Sequence, residues 1–210
     1  MKAMKKQIVI LLAVLLLANS SLGQNTSQTG RKVLEERYFL STSLWSLSNL
    51  GKEPADFYEL NFGYRLTEKE NLIFNTTTWK YWEPLGIPYW NDKKYNHTED
   101  YPGIVRAYGV GIIYQRFLWK QFFGAAHVNT FLQNFYGEQG EKLQNGFQLY
   151  LQFRLGYRWE IFDHRFFLEP ALSFNYWPIN TNFPDNFQQI EDNWPDYFLF
   201  EPHLNFGINF

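Results

Sequence analysis

Residues 147–159 carry an unbroken apolar face of seven positions. Phe147, Leu149, Leu151, Phe153, Leu155, Tyr157 and Trp159 share one parity, and Gln148, Gln152, Arg154, Gly156 and Arg158 share the other. A helix would scatter these apolar side chains around its circumference, whereas a strand gathers them on one face. The end of the chain repeats the pattern: Leu204, Phe206, Ile208 and the terminal Phe210 alternate with His203, Asn205, Gly207 and Asn209. Period-two readings also hold over 57–66 (Tyr58, Leu60, Phe62, Tyr64 and Leu66 on one face), 104–116 (Tyr108, Val110, Ile112 and Tyr114) and 166–177 (Phe166, Leu168, Leu172, Phe174 and Tyr176). Residues 38–49, 72–82 and 122–135 are strand-like in composition, but both of their faces are apolar enough to leave the inward side open. Together with 198–210 these segments make eight predicted strands.

Aromatic residues form 20% of the chain, with 21 Phe, 14 Tyr and 8 Trp. That excess suits a protein that carries apolar groups on its outside and anchors them at two membrane interfaces. The formal charge is −2 and the lysines and arginines form no run or stripe, which argues against a nucleic-acid partner. There is no cysteine, so disulfides and thiolate metal sites are excluded.

Connection lengths provide an independent pattern. Residues 67–71, 117–121 and 160–165 are short links, whereas 50–56, 83–103, 136–146 and 178–196 are mostly longer and richer in Pro, Gly, Asn and Asp. Short turns alternating with long loops are the mark of a transmembrane barrel, and an even strand number places both termini on the short-turn side. At the N-terminus, Lys2, Lys5 and Lys6 precede an apolar stretch at 8–18, and Ser21, Leu22 and Gly23 offer small residues for cleavage before Gln24. The expectation is a removed secretory signal at 1–23, a short periplasmic segment at 24–37 and a barrel at 38–210.

The terminal segment, with Leu204, Phe206, Gly207, Ile208 and Phe210, resembles the C-terminal assembly signal of Gram-negative outer-membrane barrels, which ends in Phe or Trp. In architecture the chain resembles the small eight-stranded barrels of the OmpX and OmpA-transmembrane type. The resemblance implies an all-β, antiparallel, up-and-down transmembrane barrel in the cell outer membrane, with both termini periplasmic and porin-like long loops at the cell surface. It implies as partners outer-membrane lipid and lipopolysaccharide and the barrel-assembly machinery, with a monomeric state. A soluble lipocalin-like barrel also has eight alternating strands, but it would bury the Phe-rich face and put the polar one in solvent.

The polar face of the clearest strands carries Glu59, Arg65, Arg154, Arg158, Glu169, Glu201 and His203. Three acids and three arginines balance in an interior that eight strands leave just wide enough for side chains. A turn centred on Phe162 and Asp163 would set Glu169 opposite Gly156, with Arg154 and Arg158 as diagonal neighbours. A charge-paired plug follows, because an unpaired charge there is costly. Leu168-Glu169-Pro170 and Phe200-Glu201-Pro202 place an inward Glu before an outward Pro, and proline in a closed barrel marks a bulge or a break in pairing.

No catalytic constellation stands out. Lipid A deacylases use a His and a Ser two residues apart, and His127-Val128-Asn129 lacks that nucleophile. Ser48, His97 and Asp100 could be drawn together at a rim, though spacing does not fix their geometry. The acids Asp92, Glu99, Asp100, Asp185, Glu191, Asp192 and Asp196 lack the spacing of a calcium loop and read as a solvated rim. No cofactor and no metal is called for. Any binding should lie in the loops, where Tyr89, Trp90, Tyr95, Tyr101 and Trp194 sit among amides and charges, suited either to gripping a surface or to packing on themselves. The expectation is a non-enzymatic barrel with a structural or surface-interaction role. The alternatives are a lipid-modifying enzyme with a rim site, by acyl transfer or deacylation, and a narrow small-solute channel.

Overall fold

The computed structural model of the protein describes residues 37–51 and 54–210. The expected signal at 1–23 and the segment that follows it, Arg37 excepted, lie outside the described residues. Those described form nine strands: β1 (Tyr38–Ser43), β2 (Tyr58–Arg65), β3 (Glu70–Tyr81), β4 (Gly103–Trp119), β5 (Phe122–Gly137), β6 (Lys142–Tyr157), β7 (Trp159–Ile161), β8 (Phe166–Asn180) and β9 (Tyr197–Asn209). A 3-10 helix (Leu44–Leu50) follows β1, and two short helices, α1 (Asp92–Tyr95) and α2 (Asp185–Glu191), lie in the long loops. Every pairing is antiparallel, in the order β6-β5-β4-β3-β2-β1-β9-β8-β7, and β6 also pairs with β8, so the sheet closes in a ring.

The expected sixth strand is thus divided into β6 and β7, both on β8, and proline chemistry accounts for the division. Register runs from Gly156↔Ala171 to Trp159↔Leu168, so the break at Arg158 lies across from Glu169 and Pro170. Pro170 has no amide hydrogen to donate to the ladder there. The second proline motif marks a bulge instead: Ser173 pairs with Glu201 and Phe174 with Leu199, so Phe200 is left over, in a left-handed conformation with φ of 62°.

Two other boundaries differ from expectation. Strand one ends at Ser43, whose side chain accepts from the Trp45 amide and starts the 3-10 helix. Residues 136–146, expected as a long loop, are mostly ladder, with Phe135 opposite Gln144 and Tyr136 opposite Lys142 around a turn at 138–141. β4, β5 and β6 run 17, 16 and 16 residues, while a tilted strand crosses a bilayer in roughly 9–11. Past that length both faces are wet, so the polar composition that read as loop is compatible with a hairpin.

Leu60, Phe62, Val110, Ile112, Val128 and Leu132 all lie exposed on the outer face, while Asn61, Asn75, Gln115, His127 and Gln152 are buried inside. Leaving a large apolar side chain in water instead of burying it forgoes up to about 1.5–3 kcal/mol. A belt of this extent therefore calls for an apolar surrounding. The ring closes at the chain's end: the Tyr38 amide donates to the Phe210 carbonyl (3.0 Å), the Phe210 amide to that of Tyr38 (2.9 Å), and their rings stack at 6.2 Å.

Candidate functional site

The interior has three layers. Nearest the short turns, Phe39, Ile73, Ile113, Phe123 and Phe167 form an apolar cluster. Two of its rings need glycine opposite: a Cβ on Gly63 would lie 2.0 Å from Phe39 Cζ, and one on Gly207 would lie 2.1 Å from Phe167 Cζ. The Arg158 guanidinium lies over this cluster, 4.1 Å from the Phe167 ring centre and 5.0 Å from that of Phe39, a cation–π arrangement. Its Nε donates to Glu169 Oε1 at 2.7 Å and its second terminal nitrogen to Gln115 Oε1 at 3.2 Å. Gln115 is the hub of this layer: it donates to Glu169 (2.8 Å) and accepts from Asn71 (2.7 Å).

The middle layer is polar. Arg154 lies 3.9 Å from Glu59 and 2.7 Å from His203 Nε2. Glu59 accepts from Asn61 (2.6 Å), and Asn61 in turn from Asn75 (2.7 Å). Glu201 is half-buried and accepts from Asn175 (2.7 Å) and Ser173 (3.2 Å). Between this layer and the one below is a void of about 20 Å³, space for a single water.

The expected polar interior residues therefore fall into separate groups. Of the two arginines, Glu169 forms an ion pair with Arg158 and not with Arg154. The turn after β7 centres on Asp163 and His164, one residue later than expected, with 162–164 all left-handed. That moves the register by two and sets Glu169 opposite Arg158 and Arg154 opposite Ser173. Arg65 is buried nearer the turns, its amide donating to the Arg37 carbonyl. Asn61, Gln152 and Asn175 lie inside as the polar parity of their strands implies, whereas Asn71, Asn75 and His127, on β3 and β5, are interior residues whose face the sequence leaves open. Their signal was parity, readable only once the inward faces of β3 and β5 are known.

The third layer, toward the long loops, is aromatic: Tyr81, Tyr101, Phe131, Phe135, Tyr150, Trp177, Phe183, Phe187 and Phe198 pack together. Tyr101 is not a surface residue. It stacks on Phe187 (4.8 Å) and donates to the Glu191 carboxylate. Burial, followed by the nearby Asp196 and Asp192, raises the Glu191 carboxyl to about 7 against the hydrogen bond from Tyr101. Trp194 donates to Glu99 (3.1 Å) beneath Lys93, which pairs with Glu99 at 2.6 Å and holds its carboxyl below the usual range. The loops at 82–102 and 181–196 are in this way tied into one cap. Tyr89 meets Phe198 edge-on (4.9 Å), Tyr95 ends α1, and Trp90 is 73% exposed.

Beneath the cap is a cavity of about 280 Å³, with Glu59, Arg154, Glu201 and His203 at its floor, Trp79, Tyr150 and Trp177 on its walls, and Trp45, Ser48 and Lys94 toward its rim. His97 pairs with Asp100 at 3.0 Å, and among the described residues no hydrogen bond joins either to Ser48.

No family model matches the chain, and no curated protein matches it. Among solved structures, that of Neisserial surface protein A is 13% identical, with 82% of this chain and 93% of that one covered and a TM-score of 0.42. The closed barrel rests on the chain's own ladders and needs no support from that overlap. The chain is similar to an outer-membrane β-barrel.

Proposed function

We propose that the protein is a monomeric, non-enzymatic outer-membrane barrel of eight staves, β6 and β7 forming one, which presents a folded loop cap at the cell surface and does not conduct. The carrying observation is the inversion of the ordinary pattern, with an apolar outer belt around a charged and amide-rich interior. The membrane reading also accords with the C-terminal segment, in which Leu204, Phe206, Ile208 and Phe210 alternate with inward Asn205, Gly207 and Asn209.

The non-conducting reading is supported by the two lower layers, where Arg158, Glu169 and Gln115 are buried among rings and the gap above them admits one water. A surface-interaction role is supported by Trp90, held out on a cap in which Tyr89, Tyr101, Phe183, Phe187 and Trp194 are used for packing. Lipopolysaccharide and lipid surround the belt, and the assembly machinery reads the terminal strand. In a chain without native cysteine, Cys placed at Trp90 should react with a membrane-impermeant maleimide on intact cells, and Cys at Asp163 only after lysis. The opposite pattern would invert the topology and remove the surface role.

A further inference from the structure

We propose that the outer face of β2, β3 and β4 binds one phosphate-bearing lipid of the outer leaflet, with its phosphate on Lys80 and Arg106 and an acyl chain in the groove floored by Thr78 and Thr76. The site rests on the membrane reading above and names one place on the belt where lipid is held. Tyr81, Val105 and Ala107 are buried inside the ring. Their neighbours Lys80 and Arg106, which are partners in the ladder, therefore point outward. The two cations stand just past the rung Tyr58↔Thr78↔Tyr108, on the side of the long loops. Tyr58 and Tyr108 are exposed on the outer face, and outward tyrosines at the edge of an apolar belt mark the headgroup level of a membrane. Lys80 and Arg106 are thus placed where lipid phosphates lie.

Their charge is only half cancelled. Asp56 Oδ2 serves both, 2.6 Å from Arg106 and 3.6 Å from Lys80. Among the described residues no second carboxylate lies within 4.0 Å of either, so the trio keeps a net positive charge. The Arg106 side chain is 38% exposed, and its planar fork has donors beyond the one given to Asp56. An incoming phosphate has to take the guanidinium edge that Asp56 leaves free, with the Lys80 ammonium beside it.

Below the pair the face is shaped for a chain. Thr78 and Thr76 are flanked on their own rungs by Tyr58 and Leu60 of β2 and by Tyr108 and Val110 of β4, so small side chains run between two rows of larger ones. The Thr76 hydroxyl donates to the Gly109 carbonyl at 3.3 Å, which leaves its methyl group to line the groove. Phe74, between Phe62 and Ile112, closes the lower end, about 20 Å along the strand from Lys80. The combination selects the ligand. Free phosphate would use the cations and leave the groove empty. An uncharged acyl chain would fill the groove and leave the positive charge at the membrane boundary without a counterion. A lipid with a headgroup phosphate answers both.

The test is native mass spectrometry of the full barrel, folded in a neutral detergent, with dimyristoyl phosphatidic acid, the matching diacylglycerol and inorganic phosphate. Phosphatidic acid should be retained saturably, about tenfold more tightly than the diacylglycerol, with inorganic phosphate not retained. The double substitution K80Q with R106Q should weaken retention by about tenfold. T76F, which fills the groove and keeps both cations, should weaken it too, whereas K120Q, in the turn between β4 and β5, should change nothing. Heat-modifiable gel mobility shows that each variant folds, and T76F decides alone if the double variant does not. Equal retention of the diacylglycerol, inorganic phosphate held as tightly as the lipid, no lipid retained at all, or binding indifferent to both the double variant and T76F would overturn the inference. Any of these results, with residues 108–113 still alternating in oxygen accessibility, would remove the phosphate site and leave the lipid-facing belt standing.

Discussion

Arg158 Nε lies 2.7 Å from Glu169 Oε1, with both side chains buried and the guanidinium held over the Phe167 ring. The pair exists because the turn after β7 centres one residue later than the local sequence suggests, and because Pro170 opens the ladder beside it. Glu169→Ala should cost about 3 kcal/mol, since it leaves a buried guanidinium unpaired. The double variant Arg158→Met with Glu169→Leu should recover most of that loss. Urea unfolding of the detergent-folded barrel checks both, and a single variant as stable as the wild type would show that water reaches this layer.

Phe210 closes the ring by a reciprocal pair of backbone hydrogen bonds with Tyr38. Deleting it removes both bonds and the apolar side chain that follows β9. Folded barrel in outer-membrane fractions, read by heat-modifiable mobility, should fall sharply while export continues. Undiminished folded yield would mean that closure does not depend on this residue.

Much of this was readable in advance, and the failures share a cause. In β2 and β6 the outward Leu, Phe and Tyr alternate with inward Glu, Asn, Arg and Gln, so composition alone declares the faces. In β1, β3 and β5 the barrel interior itself takes Phe39, Ile73, Phe123 and Phe131, and with aromatic residues on both sides the parity is silent. The pairing of Glu169 was missed because a run of three left-handed residues, none of them glycine, carries little sequence signal. The cavity under the cap depends on contacts between residues about a hundred positions apart, such as Trp194 with Glu99, and no local pattern encodes them.

Gly63 and Gly207 are required by close approach rather than by backbone conformation, each facing a Phe ring at about 2 Å from where a Cβ would stand. Gly63→Val should destabilise the barrel by about 1–3 kcal/mol through overpacking. Combining it with Phe39→Leu should relieve part of the loss. Additive losses in urea unfolding would show that the ring is not the obstacle.

The cap should loosen as pH rises. Glu191, buried in α2 with its carboxyl raised to about 7 from an unfolded value near 4.5, binds its proton more tightly folded than unfolded. Its contribution is therefore fully present below about 4.5, declines between 4.5 and 7, and is lost above, by at most about 3 kcal/mol. Hydrogen exchange in 181–196 should speed up across that window, and Glu191→Gln should flatten the dependence. Exchange that slows with rising pH, once the intrinsic rate is corrected for, would contradict the assignment.

An apolar belt against lipid requires the Leu60, Phe62, Val110 and Ile112 face to lie outward and Asn61 and Gly111 to point inward. A chain with no cysteine allows single spin labels at 108–113 of the barrel in phospholipid vesicles, with accessibility to oxygen measured position by position. Accessibility should show a period of two, with maxima at 108, 110 and 112 and minima at 109, 111 and 113. Maxima at the odd positions, or uniform accessibility to a water-soluble nickel reagent on both faces, would contradict it.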